Sequence, residues 1–326
     1  MRSEGETHTI AVPAENAGER IDRFVSGQIP DSSRAQIQRA AKAGALMVDG
    51  VSVKVSHKVK EGQSIVVQLL RPEDPDTAPI PESIDLDIVH EDDDIIVINK
   101  PAGMVVHPAA GHRTGTIVNA LLGRNSFTGG AESVQRPGIV HRLDKGTSGL
   151  LVCARNESAH RHLAVQLKNR TMSRIYAAVA WGHLKSETTA FEGAIGRSLR
   201  DRKRMAVTET GRSAKTTATV RECFDLADLL ELSLETGRTH QIRVHLTNAG
   251  HPIVSDVDYG GGTAHLRGVD PARRLLGRAM LKTIDRPALH ARKIRLVHPV
   301  TNEKLTFSVE PPADFARLLE TCRRSG

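Results

Sequence analysis

The chain predicts a two-part α+β protein: a small N-terminal α/β module joined by a linker to a larger, mixed and largely antiparallel α+β domain. Three features predict it. The first 70 residues carry two short amphipathic helices and a hairpin, enough for a module but too little to house a cleft enzyme. Residues 71–83 open with Arg71-Pro72-Glu73-Asp74-Pro75 and run through Pro79 and Pro81, an acidic, proline-rich stretch that cannot join a sheet interior and reads as an extended linker. Beyond residue 84 the apolar strand segments are separated by turns or by helices of uneven length, so the regular alternation of a doubly wound parallel sheet is missing. The expected units are therefore 18–70, a linker at 71–83, and 84–326.

Within the module, Ile21, Phe24, Val25 and Ile29 recur at helical spacing, while Glu19, Arg20, Asp22 and Arg23 fill the other face. Ser33 and Gln36 have the spacing of a capping box and start a second helix, which runs through Ile37, Ala40 and Ala41 and stops at Gly44. Arg34, Gln38 and Lys42 stand four apart on it and predict one exposed basic row. Leu46-Met47-Val48 and Val51-Ser52-Val53 flank Asp49-Gly50, a strong hairpin signal, and a further strand follows from Ser64 to Leu70. In the larger domain, strands are expected at 85–89 and 95–98 across the acidic turn 91–94, then at 149–154, 175–181, 214–220, 229–234 and 294–296.

Composition narrows the function. The 45 Lys and Arg outnumber 38 Asp and Glu, and a formal charge of +7 suits a polyanionic partner. One Trp, two Tyr and six Phe are scattered, so a nucleic acid would be held by charge and shape and not on an aromatic stacking platform. Cys153, Cys223 and Cys322 lie far apart without the paired spacing of a zinc site or a disulfide framework, which points to the cytoplasm. Met1 to Thr7 lacks the apolar core of a signal peptide, and no run of about 18 apolar residues occurs. A cytoplasmic protein with no membrane partner is expected.

Chemistry gathers in two charged clusters. Gly138-Ile139-Val140-His141-Arg142-Leu143-Asp144-Lys145-Gly146-Thr147-Ser148-Gly149 crowds charge into a turn before an apolar run. Asp144 is its one carboxylate, and Arg142 and Lys145 beside it should favour the ionised, nucleophilic form. Read from these residues alone, an Asx-type cap on the turn is an equal alternative. The second cluster runs from Glu235 through Gly237-Arg238-Thr239-His240-Gln241-Ile242-Arg243 to His251-Pro252. Thr239 is the expected N-cap of a helix ended by Gly250, with Arg243 near its first turn, where a guanidinium can pair with a carboxylate or phosphate. Arg197, Arg200, Arg202, Lys203 and Arg204 place five cations within eight residues against Asp201. No nucleophile elbow, Walker loop, dinucleotide glycine motif or H-E-x-x-H occurs, so no cofactor and no metal are expected.

Arg20-Ile21-Asp22-Arg23-Phe24, Ser33-Arg34-Ala35-Gln36-Ile37-Gln38, Leu46-Met47-Val48-Asp49-Gly50 and Val59-Lys60-Glu61-Gly62 resemble the S4-like RNA-binding module. His141-Arg142-Leu143-Asp144, Arg174-Ile175-Tyr176, Gly237-Arg238-Thr239-His240-Gln241-Ile242-Arg243, Gly250-His251-Pro252 and Ala288-Leu289-His290-Ala291 resemble, in order and over nearly the whole chain, the RluA-type pseudouridine synthases. That resemblance implies a pseudouridine synthase catalytic domain that isomerises uridine in RNA without a cofactor. It implies Asp144 as the essential carboxylate, acting by attack on the ribose anomeric carbon or by proton removal to a glycal; Tyr176 as the tyrosine stacked on uracil; and Arg243 as the partner of the aspartate. Arg142 would fill the place of the extruded base, and Arg34, Gln38, Lys42, Arg200, Arg202, Lys203, Arg204 and Arg238 would contact RNA. The added S4-like module implies large-subunit ribosomal RNA, or an assembling subunit, as partner of a monomer. The alternatives are a noncatalytic RNA-binding or ribosome-assembly protein on the same fold and, more remotely, a methyltransferase carrying the same module. One departure is Ser255, where the family more often has glycine.

Overall fold

The computed structural model describes residues 6–29, 32, 34–69, 79–108, 112–124, 137–198, 201 and 204–324. The chain divides into a unit spanning Met1–Thr77 and a second spanning Ala78–Gly326.

The first unit is a four-stranded sheet backed by two helices. Its elements are β1 (Glu6–Ala11), α1 (Ile21–Gln28), α2 (Arg34–Lys42), β2 (Leu46–Val48), β3 (Val51–Ser52) and β4 (Ser64–Leu69), with antiparallel strand order β1-β4-β2-β3. Strand β1 was not foreseen: its alternation of His8 and Ile10 with threonines is weak, and its full pairing with β4, from Glu6 opposite Leu69 to Ala11 opposite Ser64, starts the unit well before residue 18. The hairpin turn forms as expected, with Asp49 and Gly50 both at positive φ (50° and 79°), the signature of a type I′ turn. Ile21, Phe24, Val25, Ile37, Leu46, Ile65 and Val67 close the core. The expected capping box at Ser33 and residues 70–78 lie outside the described residues.

The second unit is built on a sheet of ten described strands. It comprises β5 (Ile88–Glu91), β6 (Ile95–Lys100), α3 (Ile117–Leu122), β7 (Ser148–Ala154), α4 (Glu157–Lys168), β8 (Ser173–Trp181), β9 (Thr188–Arg197), β10 (Met205–Val207), β11 (Arg212–Cys223), β12 (Ala227–Leu234), α5 (Gln241–Asn248), α6 (Pro271–Thr283), β13 (Leu289–Val297), β14 (Lys304–Ser308) and α7 (Ala313–Arg323). Strand order is β10-β9-β11-β12-β8-β13-β7-β6-β5, with β14 on β13, and only β7 with β13 runs parallel among the described residues. Residues 79–83, placed in the linker by the sequence, pack on α3: Pro79 is buried, Asn119 Nδ2 donates to Ile80 O at 2.7 Å, and Glu82 N donates to Asn119 O at 2.9 Å. The central strands read as continuous apolar runs because both faces are covered; β7 is buried at every position. No described helix is long and apolar enough to cross a membrane.

Candidate active site

The turn leading into β7, the first half of β8, the loop between β12 and α5, and the first turn of α5 line one cleft of about 570 Å³, together with the end of α4, His107 and Leu289. Asp144 sits on the first of these. Its turn is tied by backbone bonds, Thr147 N to Asp144 O at 3.0 Å and Gly103 N to Lys145 O at 2.8 Å. Two buried cations hold it from beneath, Lys100 Nζ reaching Lys145 O at 3.4 Å and Arg286 Nη1 reaching Gly146 O at 3.1 Å. Strand β7 then starts at a close crossing: a Cβ on Gly149 (φ +109°) would stand 2.3 Å from Ala291 O, so only glycine lets β7 meet β13 there.

The Asp144 carboxylate accepts no hydrogen bond among the described residues, so the Asx-cap alternative is not realised. Its sequence neighbours are also not its partners. Arg142 is exposed on the cleft wall, and Lys145 Nζ lies 3.5 Å from His112 Nε2. The nearest positive group is Arg243, with Nη1 at 3.5 Å from Oδ2, and His240 Nε2 stands 3.9 Å from Oδ1. Successive side chains on a tight turn diverge, whereas the first turn of α5 points into the cleft.

That helix starts at Gln241, with His240 and not Thr239 as N-cap, in the left-handed region at φ 56°. The Gln241 side chain organises the loop in place of the expected threonine. Its Oε1 accepts from Arg238 N (3.0 Å) and Thr236 Oγ1 (2.7 Å), while Nε2 donates to Lys215 O (2.9 Å) and Thr216 Oγ1 (3.0 Å) on β11. Arg243, third in the helix, is buried and gripped bidentately by Asp256, Nε to Oδ2 at 2.7 Å and Nη2 to Oδ1 at 2.8 Å. Asp258 adds a bond at 3.1 Å, and the guanidinium lies 4.7 Å from the Tyr259 ring centroid. Burial opposes its charge, but the bonds and charge of Asp256, then Asp144 and Asp258, outweigh burial and hold its pKa above the ordinary arginine value.

Tyr259 also sets His240. Met205 N donates to the Tyr259 hydroxyl at 3.0 Å, so the hydroxyl proton is free to go to His240 Nδ1 at 2.8 Å, and Nε2 then carries hydrogen toward Asp144. Burial, assisted by Arg243 and Arg142 and opposed by Asp144 and Asp256, lowers the pKa of His240. Tyr176 on β8 is 5% exposed; burial, with a contribution from Asp144 and against Arg174, raises its pKa, so it stays a neutral phenol. Lys100, wholly buried under the turn, donates to Pro101 O (2.8 Å) and Met104 O (2.9 Å), and burial brings its pKa down to about 7 against the pull of Asp144.

The expected RNA-contacting residues fare unevenly. Arg142 and Arg238 line the cleft, Arg238 Nε donating to Ser213 O at 3.3 Å. Arg204 pairs with Asp201 at 3.2 Å, and Arg200, Arg202 and Lys203 lie outside the described residues. In the first unit, Lys42 is exposed, but the row it was expected to share with Arg34 and Gln38 is not a free one. Arg34 Nη2 (2.8 Å) and Gln38 Nε2 (3.2 Å) both turn to Asp22, which also takes Arg20; its carboxylate is fully buried, and a buried charge recruits every donor in reach. Asp92, Asp94 and His298 lie close enough to share a cation. His298 Nδ1 instead accepts from Val300 N and Thr301 N, which leaves the proton on Nε2 to bond Asp92 at 3.2 Å, an arrangement of hydrogen bonds and not of metal ligands.

Sequence reasoning missed Asp256, Asp258 and Tyr259 as members of the site, although all three follow Ser255, the residue it marked as unusual. Ser255 holds φ 63°, where glycine is at ease, and its buried hydroxyl donates to Ile284 O at 2.8 Å.

Residues 94–248 match the RNA pseudouridylate synthase family, and residues 19–65 match the S4 domain. A Bacillus subtilis (strain 168) protein, the uncharacterized RNA pseudouridine synthase YlyB, is 42% identical over 319 residues, covering 97% of this chain and 98% of the relative. Ribosomal large subunit pseudouridine synthase D of Pseudomonas aeruginosa PAO1 is 40% identical over 313 residues, covering 96% and 95%. Human RNA pseudouridylate synthase domain containing 1 superposes with a TM-score of 0.53 at 26% identity, over 71% of this chain and 85% of that one. With an S4 domain ahead of a cleft that brings Asp144, Arg243 and Tyr176 together, the chain belongs to the RNA pseudouridine synthase family and is an isomerase of uridine in RNA.

Proposed function

We propose that the chain converts uridines of large-subunit ribosomal RNA to pseudouridine in the cytoplasm, acting as a monomer with Asp144 as its essential carboxylate. One observation carries the assignment of Asp144: it is a carboxylate at a cleft wall, 17% exposed and accepting no hydrogen bond among the described residues, beside an arginine that Asp256 already holds. A carboxylate left unblocked in this way keeps its oxygens for substrate. Two routes ask the same of it. Asp144 adds to C1′ while the N1–C1′ bond breaks and uracil departs with the electron pair, or it takes the proton from C2′ as the same bond breaks. In either case the base turns, C5 bonds to C1′, the carboxylate or its proton is returned, C5 loses its proton and N1 gains one.

Arg243 is the fixed cation in this reading. It faces Asp144 across 3.5 Å without seizing it, because its two best donors are spent on Asp256. Tyr176, buried and neutral, offers a flat wall for the extruded uracil. Arg142, exposed on the cleft wall, would occupy the gap the base leaves, and Arg238, Lys42 and the segment around Arg204 would supply cations for phosphates. The substrate proposal rests on the S4 domain and on relatives named for the large ribosomal subunit. A noncatalytic binder would have no use for an anion at the centre of a cleft built to meet phosphate.

The test is release of tritium from unmodified large-subunit ribosomal RNA labelled at uridine C5. Release by the wild type and none by Asp144→Asn is expected; a wild type that binds this RNA tightly and releases nothing overturns the reading.

A further inference from the structure

Arg174 stands two residues before Tyr176 on β8, so both side chains leave the same face of the strand and both line the cleft. The two differ in what burial asks of them. A tyrosine is content in an apolar wall, but a guanidinium stays charged in a protein and needs an anion when water is withdrawn. Arg174 is 7% exposed, its Nε is buried without a hydrogen-bond partner, and among the described residues it forms no ion pair and donates no hydrogen bond. Other buried arginines of this unit are satisfied: Arg243 by Asp256, and Arg286 by Asp314 at 2.7 Å and 2.9 Å.

The side chain is nevertheless held in place. A Cβ on Gly237 would stand 2.8 Å from Arg174 Nη1, so the loop that carries Arg238 to His240 packs its bare backbone against the guanidinium. Nearby, His141 is kept neutral. Its Nε2 accepts from Val152 N at 3.1 Å, and burial together with the charge of Arg174 pushes its pKa down to about 3. Among the described residues the Arg174 charge therefore has no ion-pair partner, and it is set into the cleft wall and confined by the Gly237 backbone.

We propose that Arg174 is a binding subsite for one RNA backbone phosphate, the phosphodiester of the nucleotide whose base enters the cleft beside Tyr176. This rests on the reading of the cleft as an RNA uridine site. A phosphodiester supplies the missing charge and two oxygens for the planar fork, which lysine cannot match bidentately. The free protein carries the cost of a buried cation that no described residue pairs, and the bound RNA removes it.

The experiment uses the full chain with Asp144→Asn, to stop turnover, with and without Arg174→Gln, and measures Kd for unmodified large-subunit ribosomal RNA between about 50 and 200 mM salt. Loss of one phosphate contact lowers the slope of log Kd against log salt by roughly 0.7 to 0.9. The free Arg174→Gln protein is expected to melt at the same or a higher temperature than its parent, since an unpaired charge has gone. Arg174→Lys should keep most of the slope. In the turnover-competent background, KM should rise by a larger factor than kcat falls. An unchanged slope with a fall confined to kcat would assign the guanidinium to the departing base and overturn the proposal. A lower melting temperature for Arg174→Gln, with Arg174→Lys restoring it but not the slope, would make Arg174 a structural brace and overturn it too. Absence of tritium release by the wild type would count separately, against the functional reading itself.

Discussion

Asp256→Asn is the perturbation that best separates the arginine's anchor from its target. Asp256 is wholly buried and takes two hydrogen bonds from Arg243, at 2.7 and 2.8 Å. An asparagine can accept only one of them and turns an amide N–H toward the other, leaving a buried guanidinium half paired; breaking a buried pair in this way costs about 3 kcal/mol. For a unit of this size that is a fall in Tm of roughly 6 to 12 °C. The freed guanidinium then closes on Asp144, now 3.5 Å away, and ties up the oxygen it had only faced. A misplacement of this order lowers tritium release about 100-fold. Asp144→Asn should do the reverse: its contact with Arg243 is long, so its removal costs under about 1 kcal/mol, yet release is abolished. Thermal unfolding by circular dichroism and tritium release, measured on both variants well below their Tm, give the comparison. Asp256→Asn that keeps the wild-type rate, or that loses rate without losing stability, would refute the assignment of Asp256 as the anchor.

His141 predicts acid sensitivity. Its pKa of about 3 when folded lies below the ordinary histidine value, so the unfolded chain binds the extra proton first and stability falls as pH drops from about 6.5 toward 3. At pH 5 this site costs on the order of 2 kcal/mol relative to neutral pH, and His141→Gln, whose carbonyl can still accept from Val152 N, should flatten that part of a Tm-against-pH profile. Ser255 combines left-handed strain with a compensating hydroxyl bond. Ser255→Ala keeps the strain and loses the bond, a cost of roughly 1 to 2 kcal/mol in denaturant unfolding, whereas Ser255→Gly loses both and should stay within about 0.5 kcal/mol of wild type. In the first unit, Asp22→Asn should cost about 2 kcal/mol and weaken RNA binding by releasing Arg20 and Arg34. The hydrogen bonds of Arg20, Arg34 and Gln38 outweigh burial and hold the Asp22 carboxyl below its ordinary range, so this contribution is complete above about pH 3.8 and fades as pH falls through the lowered value.

What the sequence made legible was local. The Asp49-Gly50 turn, the helices of the S4 unit and the apolar runs of β7, β8 and β12 are set by periodicity or by backbone chemistry within a few residues, and they stand where expected. Strands β1, β9, β10 and β14 escaped because their pairing, not their own pattern, makes them strands: β9 alternates exposed and half-buried positions and gains its order from eight residues of register with β11. Charge was legible in number but not in direction. Arg142 and Lys145 flank Asp144 by two and one residues yet form no ion pair with it among the described residues, while Arg243, nearly a hundred residues on, faces it.

The anchor of the site shows why such pairings resist reading from sequence. Arg243 and Asp256 are 13 residues apart, on a helix and on an irregular turn, and nothing in either segment selects the other until Val254 N bonds to Val179 O and Ala288 N bonds to Val254 O, which fix the turn between β8 and the lead-in to β13. That turn needs a left-handed residue at 255, which is why glycine suits it; here serine accepts the strain and draws its compensation from Ile284, 29 residues away. The departure was visible as a letter, but its repair is tertiary. The carboxylate that follows it is carried by that same left-handed residue, so the aim of Arg243 at Asp144 depends on a backbone turn that touches neither of them.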